Sequence, residues 1–183
     1  MADGLIYFED GELIAEIGNA RVFKMNDKLF LEKGPGHTLW ALEDELPDYI
    51  QQLESWPQGE CLEIGLGLGV ASEYLLSFPK VKSLTTVEID KDVIDVQKIV
   101  NPIKDKRHLI LNANGLYYAY ETKRMFDFIF LDFYDVIDEE TLPVIADMVT
   151  ACHRVLKSDG KMIGWLDKYT SGDHAAIFMS LFE

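Results

Sequence analysis

Cysteine is scarce in this chain, and no apolar run is long enough to cross a bilayer. The two cysteines, Cys61 and Cys152, show neither paired nor metal-ligand spacing, which excludes a disulfide framework and a thiolate metal centre. Each falls within an apolar pattern and reads as a buried free thiol in a reducing cytoplasm. His108, His153 and His174 have no partners at ligand spacing either, so no metal is assigned. A membrane helix needs about 18 consecutive apolar residues, and none are found. The opening "MADGLIYFEDGEL" lacks the basic region and unbroken apolar core of a secretion signal. A cytoplasmic protein with no membrane partner is expected. Positive charge is also in short supply: 17 basic residues face 32 acidic ones, a net charge of −15. The acidic excess is densest in residues 1–60. Such a surface repels phosphate backbones, which disfavours nucleic acid, and attracts small cations.

What is present suits one packed domain of 183 residues with a short extension. The front reads as short strands and tight turns. Asp10-Gly11 and Asn26-Asp27 each stand between apolar runs, a hairpin signal. The "GPG" of Gly34 to Gly36 ends this pattern, so residues 1–36 are expected to form a β-hairpin extension and residues 37–183 an α/β domain. Thr38 is an expected N-cap for a helix over "LWALEDELPDYIQQLESW", divided or kinked at Pro47. From residue 60 strands and helices alternate, and "FDFIFLDFYD" is apolar almost throughout. Continuous apolar strands between helices imply a Rossmann-like, doubly wound, mostly parallel sheet covered on both faces. Trp40, Trp165 and the tyrosines 117, 118 and 120 read as packing residues.

The first strand of that sheet runs into "LEIGLGLGV". In an open parallel sheet, ligands sit outside the carboxyl ends of the strands. Gly65, Gly67 and Gly69 let the backbone turn sharply and approach a ligand closely. The spacing is G-x-G-x-G, not the dinucleotide fingerprint, and no Lys-Ser or Lys-Thr follows, which excludes a P-loop. Glu63, just ahead of the turn, would repel a pyrophosphate. Glu88 ends the next strand, about 20 residues past the turn, the distance at which a carboxylate can take both hydroxyls of a ribose. Asp132 and Asp135 follow the fourth strand, with Phe133 and Tyr134 between them. Carboxylates there can orient an incoming amine and accept its proton, and aromatic faces such as Tyr134 can stabilise a cation.

The E-x-G-x-G-x-G run from Glu63 to Gly69 resembles motif I of the class I S-adenosylmethionine-dependent methyltransferases. The resemblance covers about residues 59–166. It implies S-adenosylmethionine held by Glu63, Gly65, Gly67, Gly69, Glu88 and Asp132. It also implies that Asn114, in "NANG", stands where the family commonly has an Asp for the adenine amine. Two subfamilies look similar around the fourth strand. Spermidine synthases carry D-x-x-D there, matched by Asp132 and Asp135, and an N-terminal β-hairpin region. Guanidinoacetate methyltransferase carries "LEVG" and "D-x-Y…EET" runs, similar to "LEIG" and "DFYDVIDEET" here. In spermidine synthases the glycine loop usually contains an Asp; Leu66 and Leu68 stand in this turn instead. The usual final β-hairpin of a methyltransferase sheet is missing. That leaves the edge beside "KMIGWL" to the front hairpins, to a second subunit of a homodimer, or to nothing.

The resulting expectation is methyl transfer from S-adenosylmethionine to a small amine or guanidine. Asp132 would be the base and Asp135 a second anchor, with Tyr134 and Asp135 on the substrate. The alternatives are aminopropyl transfer from decarboxylated S-adenosylmethionine, as in polyamine synthesis, and donor binding without catalysis.

Overall fold

The computed structural model describes residues 11–33, 39–42 and 46–183, with residues 39–42 described as backbone. The front residues form a four-stranded antiparallel sheet in chain order: β1 (Glu12–Ile17), β2 (Ala20–Met25), β3 (Lys28–Lys33) and β4 (Leu39–Leu42). Asn26 and Asp27 join β2 to β3 with φ of 51° and 63°. Asn and Asp tolerate this left-handed region better than most residues, and a two-residue turn of this kind matches the twist of the strands. Asp10, His37 and Thr38 lie outside the described residues.

The helix expected from Thr38 is corrected. Leu39–Leu42 pairs antiparallel with β3, Phe30 opposite Leu42 and Leu31 opposite Ala41. So short an apolar run fits either periodicity, and pairing to an existing strand decides it. The antiparallel sheet therefore reaches past the expected break at residue 36. The helix α1 spans Leu46–Leu53. Pro47 sits in its first turn, where a missing N–H is tolerated, so it opens the helix rather than kinking it.

The second sheet contains β5 (Gly59–Ile64), β6 (Val81–Glu88), β7 (His108–Asn112), β8 (Phe126–Leu131) and β9 (Leu156–Gly164). Their order is β7-β6-β5-β8-β9 and every pairing is parallel. Between and after them run α2 (Val70–Ser77), α3 (Lys91–Val100), α4 (Gly115–Glu121), α5 (Thr141–His153) and α6 (Gly172–Ser180). This is the Rossmann-like α/β fold expected. The chain moves outward from β5 through β6 to β7, then returns to place β8 on the other side of β5. That reversal creates the crevice at the carboxyl ends of β5 and β8.

Period-two alternation assigns each strand residue to one layer. Leu62 and Ile64 of β5, with Ile129 and Leu131 of β8, pack against Ile145, Met148 and Val149 of α5. Cys61, Phe128 and Phe130 face the opposite layer with Leu53 of α1 and Leu75 of α2. Both thiols are buried and free, and burial pushes each up to about 12. Trp165 is core, as expected. Tyr117 and Tyr120, expected in the packing, are exposed instead. They fall on the part of α4 that α5 does not cover, and Tyr120 stacks beneath the Arg154 guanidinium at 5.1 Å.

The front sheet docks on α3. Ala20, Val22 and Leu31 join Val93 and Val96 in a third apolar cluster, and the sixth buried member is Leu68 of the glycine turn. Asn19 N–H donates to Asp92 at 3.1 Å, and Lys33 pairs with Asp90. Two polar contacts and one apolar cluster thus clamp the turn between the front sheet and α3. Among the described residues, no helix is long and apolar enough to cross a membrane.

Truncating Leu68 to Ala removes the side chain that joins turn, sheet and helix. A loss of about 2–5 kcal/mol in urea-unfolding stability is expected, the usual range for such a buried deletion. A loss below about 1 kcal/mol would contradict the clamp.

Candidate functional site

The glycine turn departs from β5 with a left-handed backbone at three points, φ being 100° at Gly65, 51° at Gly67 and 81° at Gly69. At Gly65 space is decisive as well: a Cβ there would stand 1.8 Å from the Asp132 carbonyl oxygen. Only glycine lets β5 and β8 run this close before the chain turns. The strands are tied at this level by Asp132 N–H donating to Ile64 O at 2.9 Å and Gly65 N–H donating to Val87 O at 3.0 Å.

Glu88 ends β6 beside the turn and is 7% exposed. Its Oε2 accepts the Leu66 N–H at 3.0 Å, and its Oε1 accepts the Asp90 N–H at 2.8 Å. Each oxygen keeps a further lone pair for a ligand. Burial pushes this carboxyl above its ordinary range, while the two N–H groups and Lys33 pull it back. One bond therefore fixes both the carboxylate and the middle of the turn.

A cavity of about 370 Å³ opens over these groups, within the range of small-molecule sites. Gly65, Gly67, Glu88, Asn114, Asp132 and Asp135 all line it, so four chain segments far apart in sequence meet there. Its charged lining is Glu88, Asp132, Asp135 and Asp147, with no lysine, arginine or histidine among the described residues. The apolar lining includes Ile89, Val144 and Met148.

Asp132 is held by a residue that sequence reasoning missed. The Tyr49 hydroxyl of α1 donates to Asp132 Oδ2 at 2.8 Å. Burial pushes Asp132 up to about 6, and the Tyr49 bond opposes that rise by favouring the carboxylate. Tyr49 also packs edge-on against Phe130, with ring centroids 5.9 Å apart. α1 is in turn fixed by Gln52, whose amide exchanges two hydrogen bonds with the Leu166 backbone at 2.9 and 2.8 Å. Tyr49 belongs to no spaced motif, and only the chain's return after β9 brings it to the site. Asp135 is exposed and has no hydrogen-bond or ion-pair partner among the described residues.

Glu63 and Tyr134 sit differently from the sequence reading, and Gly69, unlike Gly65 and Gly67, does not line the cavity. Glu63 is 1% exposed and does not line the cavity. As an odd member of β5's alternation it faces α2, and its Oε2 accepts the Ser72 and Thr86 hydroxyls, both at 2.5 Å. The Thr86 oxygen lies 2.8 Å from His108 Nε2. Glu63 thus ties α2 to β6 behind the turn rather than standing at its mouth. Tyr134 lines the cavity, but its hydroxyl donates to Trp165 O at 2.7 Å and is committed to the end of β9. Asn114 lines the cavity as the N-cap of α4, its side-chain oxygen accepting the Tyr117 N–H at 3.2 Å. Asn112 does not line the cavity, and its amide nitrogen donates to the carbonyls of Glu88 and Ile89, each at 3.0 Å.

Burial pushes Glu63 up to about 8, against the donation of Ser72 and Thr86. The unfolded chain releases this proton near pH 4.5, while the folded protein keeps it to about pH 8. Stability therefore falls between those values as pH rises, by up to about 1.4 kcal/mol per pH unit from this group. Glu63→Gln is expected to flatten that slope in urea titrations at pH 5 to 8, and an unchanged slope would contradict the assignment.

Comparison with known proteins follows the same lines. The model of the family described as "Spermine/spermidine synthase domain" matches residues 54–173. A polyamine aminopropyltransferase of Hydrogenobaculum sp. is 32% identical over 108 residues, 56% of this chain and 39% of the relative. One from Caldicellulosiruptor saccharolyticus is 29% identical over 105 residues, 55% of this chain and 38% of the relative. The chain thus spans about two fifths of the length of the curated relatives it matches. The crystal structure of spermidine synthase from Thermotoga maritima superposes with a TM-score of 0.70 at 20% identity, covering 92% of this chain and 60% of that one. A spermidine synthase complexed with the transition-state analogue AdoDATO gives the same TM-score over 97% of this chain and 62% of its own. At such identity these two structures speak for the fold. Matches to aminopropyltransferases overturn the expectation of a methyltransferase acting on an amine or guanidine: the chain belongs to the spermine/spermidine synthase domain family.

Proposed function

We propose that this chain carries the donor site and catalytic acids of an aminopropyltransferase, moving a three-carbon amine from decarboxylated S-adenosylmethionine to a small primary amine. The observation that carries this reading is the cavity's one-sided charge: four carboxylates and no side-chain cation among the described residues. A donor that retained its carboxylate would bring a negative group into that lining. The decarboxylated donor brings only a sulfonium and an ammonium, and a diamine acceptor adds two more positive charges. Attraction between such ligands and this lining strengthens as water is excluded.

In this reading Glu88 takes the ribose hydroxyls with the lone pairs left by Leu66 and Asp90. The glycine turn brings bare backbone against the sugar and the sulfonium arm. Leu66 and Leu68 stand in the turn where spermidine synthases usually have an Asp, and Leu68 packs into the cluster with Val22 and Val93. The amines are therefore left to Asp132 and Asp135. The acceptor's nitrogen attacks the carbon next to sulfur; the new N–C bond forms as the C–S bond breaks, and the electron pair stays on sulfur in methylthioadenosine. The proton leaving the nitrogen goes to Asp132, which Tyr49 keeps aimed and ionised. Asp135, exposed at the rim, holds the acceptor's far ammonium.

Incubation with decarboxylated donor and putrescine is expected to yield methylthioadenosine, and its absence would contradict the proposal. Asp132→Asn is expected to lower kcat by about 10²- to 10⁴-fold, the usual worth of a positioned base. The rate should fall as pH drops through about 6, where Asp132 takes up its proton. Tyr49→Phe, which deletes the bond favouring the carboxylate, should move that acid limb to higher pH. An acid limb unmoved by this substitution would contradict the role given to Tyr49.

A further inference from the structure

One cavity carboxylate has no part in the proposed transfer. Asp147 lies in the middle of α5, lines the cavity, and has no hydrogen-bond or ion-pair partner among the described residues. Val144 and Met148 of the same helix line the cavity too, as do Asn114 and Leu116 of α4 and its cap, and a Cβ on Gly115 would stand 3.2 Å from Met148 Cε, so the start of α4 meets this helix. Ile89, 62% exposed, and Val144, 57% exposed, are apolar lining residues left open to solvent. Asn112 pins the first of them through the carbonyls of Glu88 and Ile89. Open aliphatic side chains with acceptors beside them suit a flat heteroaromatic base that offers N–H donors at its edge.

Asn114 alone is a poor reader of such an edge. Its side-chain oxygen is already engaged by the Tyr117 N–H, and its amide nitrogen can also donate. An amide of this kind tolerates either a base amine or a base carbonyl. A carboxylate only accepts, and it repels a carbonyl oxygen. We propose that Asp147 makes the site selective for a 6-amino purine over a 6-oxo purine, by accepting one exocyclic N–H while Asn114 serves the other. The inference rests on the reading of the site as one for an adenosyl donor.

The test compares two nucleosides, 5′-methylthioadenosine and 5′-methylthioinosine, by calorimetry with the whole protein. The wild type is expected to bind the adenine compound more tightly. Asp147→Ala should weaken that binding by about tenfold, the scale of one hydrogen bond to a charged group, while the inosine compound holds or gains. The preference for adenine therefore collapses, which a mere loss of helix stability would not produce, because that would weaken both ligands alike. Equal weakening of both, or an unchanged preference, would overturn the role of Asp147 while leaving the donor site standing. Failure of the wild type to bind either nucleoside would overturn the donor reading and this inference with it.

Discussion

The site depends on a single hydrogen bond, from the Leu66 N–H to Glu88 Oε2. It joins the middle of a turn with little conformational preference of its own to a carboxylate at the end of a neighbouring strand. Glycine costs backbone entropy on ordering, and three of them in alternation cost more. The fold offsets this with contacts made by the residues between them. Leu66 supplies the hydrogen bond, and Leu68 enters the cluster shared by the front sheet and α3. The turn is thus anchored through its leucines, while Gly65, Leu66, Gly67 and Leu68 all line the cavity. The front sheet is accordingly more than an appendage, since its Val22 and Leu31 help hold the wall on which a ligand would lie.

The second determinant is where buried and half-buried carboxylates are allowed to stay. Three stand close together at the ends of β5, β6 and β8, and each meets a different set of donors. Glu63 is closed off with two hydroxyls and burial keeps it neutral up to about pH 8. Glu88 is stabilised by two backbone N–H groups. Asp132 has one tyrosine hydroxyl and lies near 6, where a carboxyl can both bind and release a proton close to neutrality. The same side-chain chemistry thus yields a structural tie, a fixed acceptor and a carboxyl that titrates near neutrality, separated by donor count and solvent access.

Much of this was legible in the sequence where the signal was local. Alternating strands and helices announced the parallel sheet, and the glycine spacing with Glu88 announced the crevice. Asp132 and Asp135 follow directly from the end of the most apolar strand. Asn26-Asp27 marked a turn because its residues tolerate a positive φ. What escaped were facts set by distant contacts. Leu39–Leu42 is a strand because β3 offers a free edge, which no window of four residues can reveal. Tyr49 is held toward Asp132 by Gln52, which is pinned to Leu166 just after β9. Glu63 looked like a mouth residue from spacing, yet the period of two turns it toward Ser72. The choice between methyl and aminopropyl transfer was hidden because both chemistries use the same turn and the same ribose acid. The proposed discrimination lies in the charge of the lining, whose four carboxylates come from three separate segments and meet only in the folded chain.

Calorimetric titration of decarboxylated S-adenosylmethionine into the wild type and into Glu88→Gln tests the central claim most directly. Gln keeps one acceptor and the shape but loses the charge and the paired oxygens. The account predicts affinity at least about tenfold weaker in the variant, with unfolding stability little changed. Equal affinity in the two proteins would contradict it.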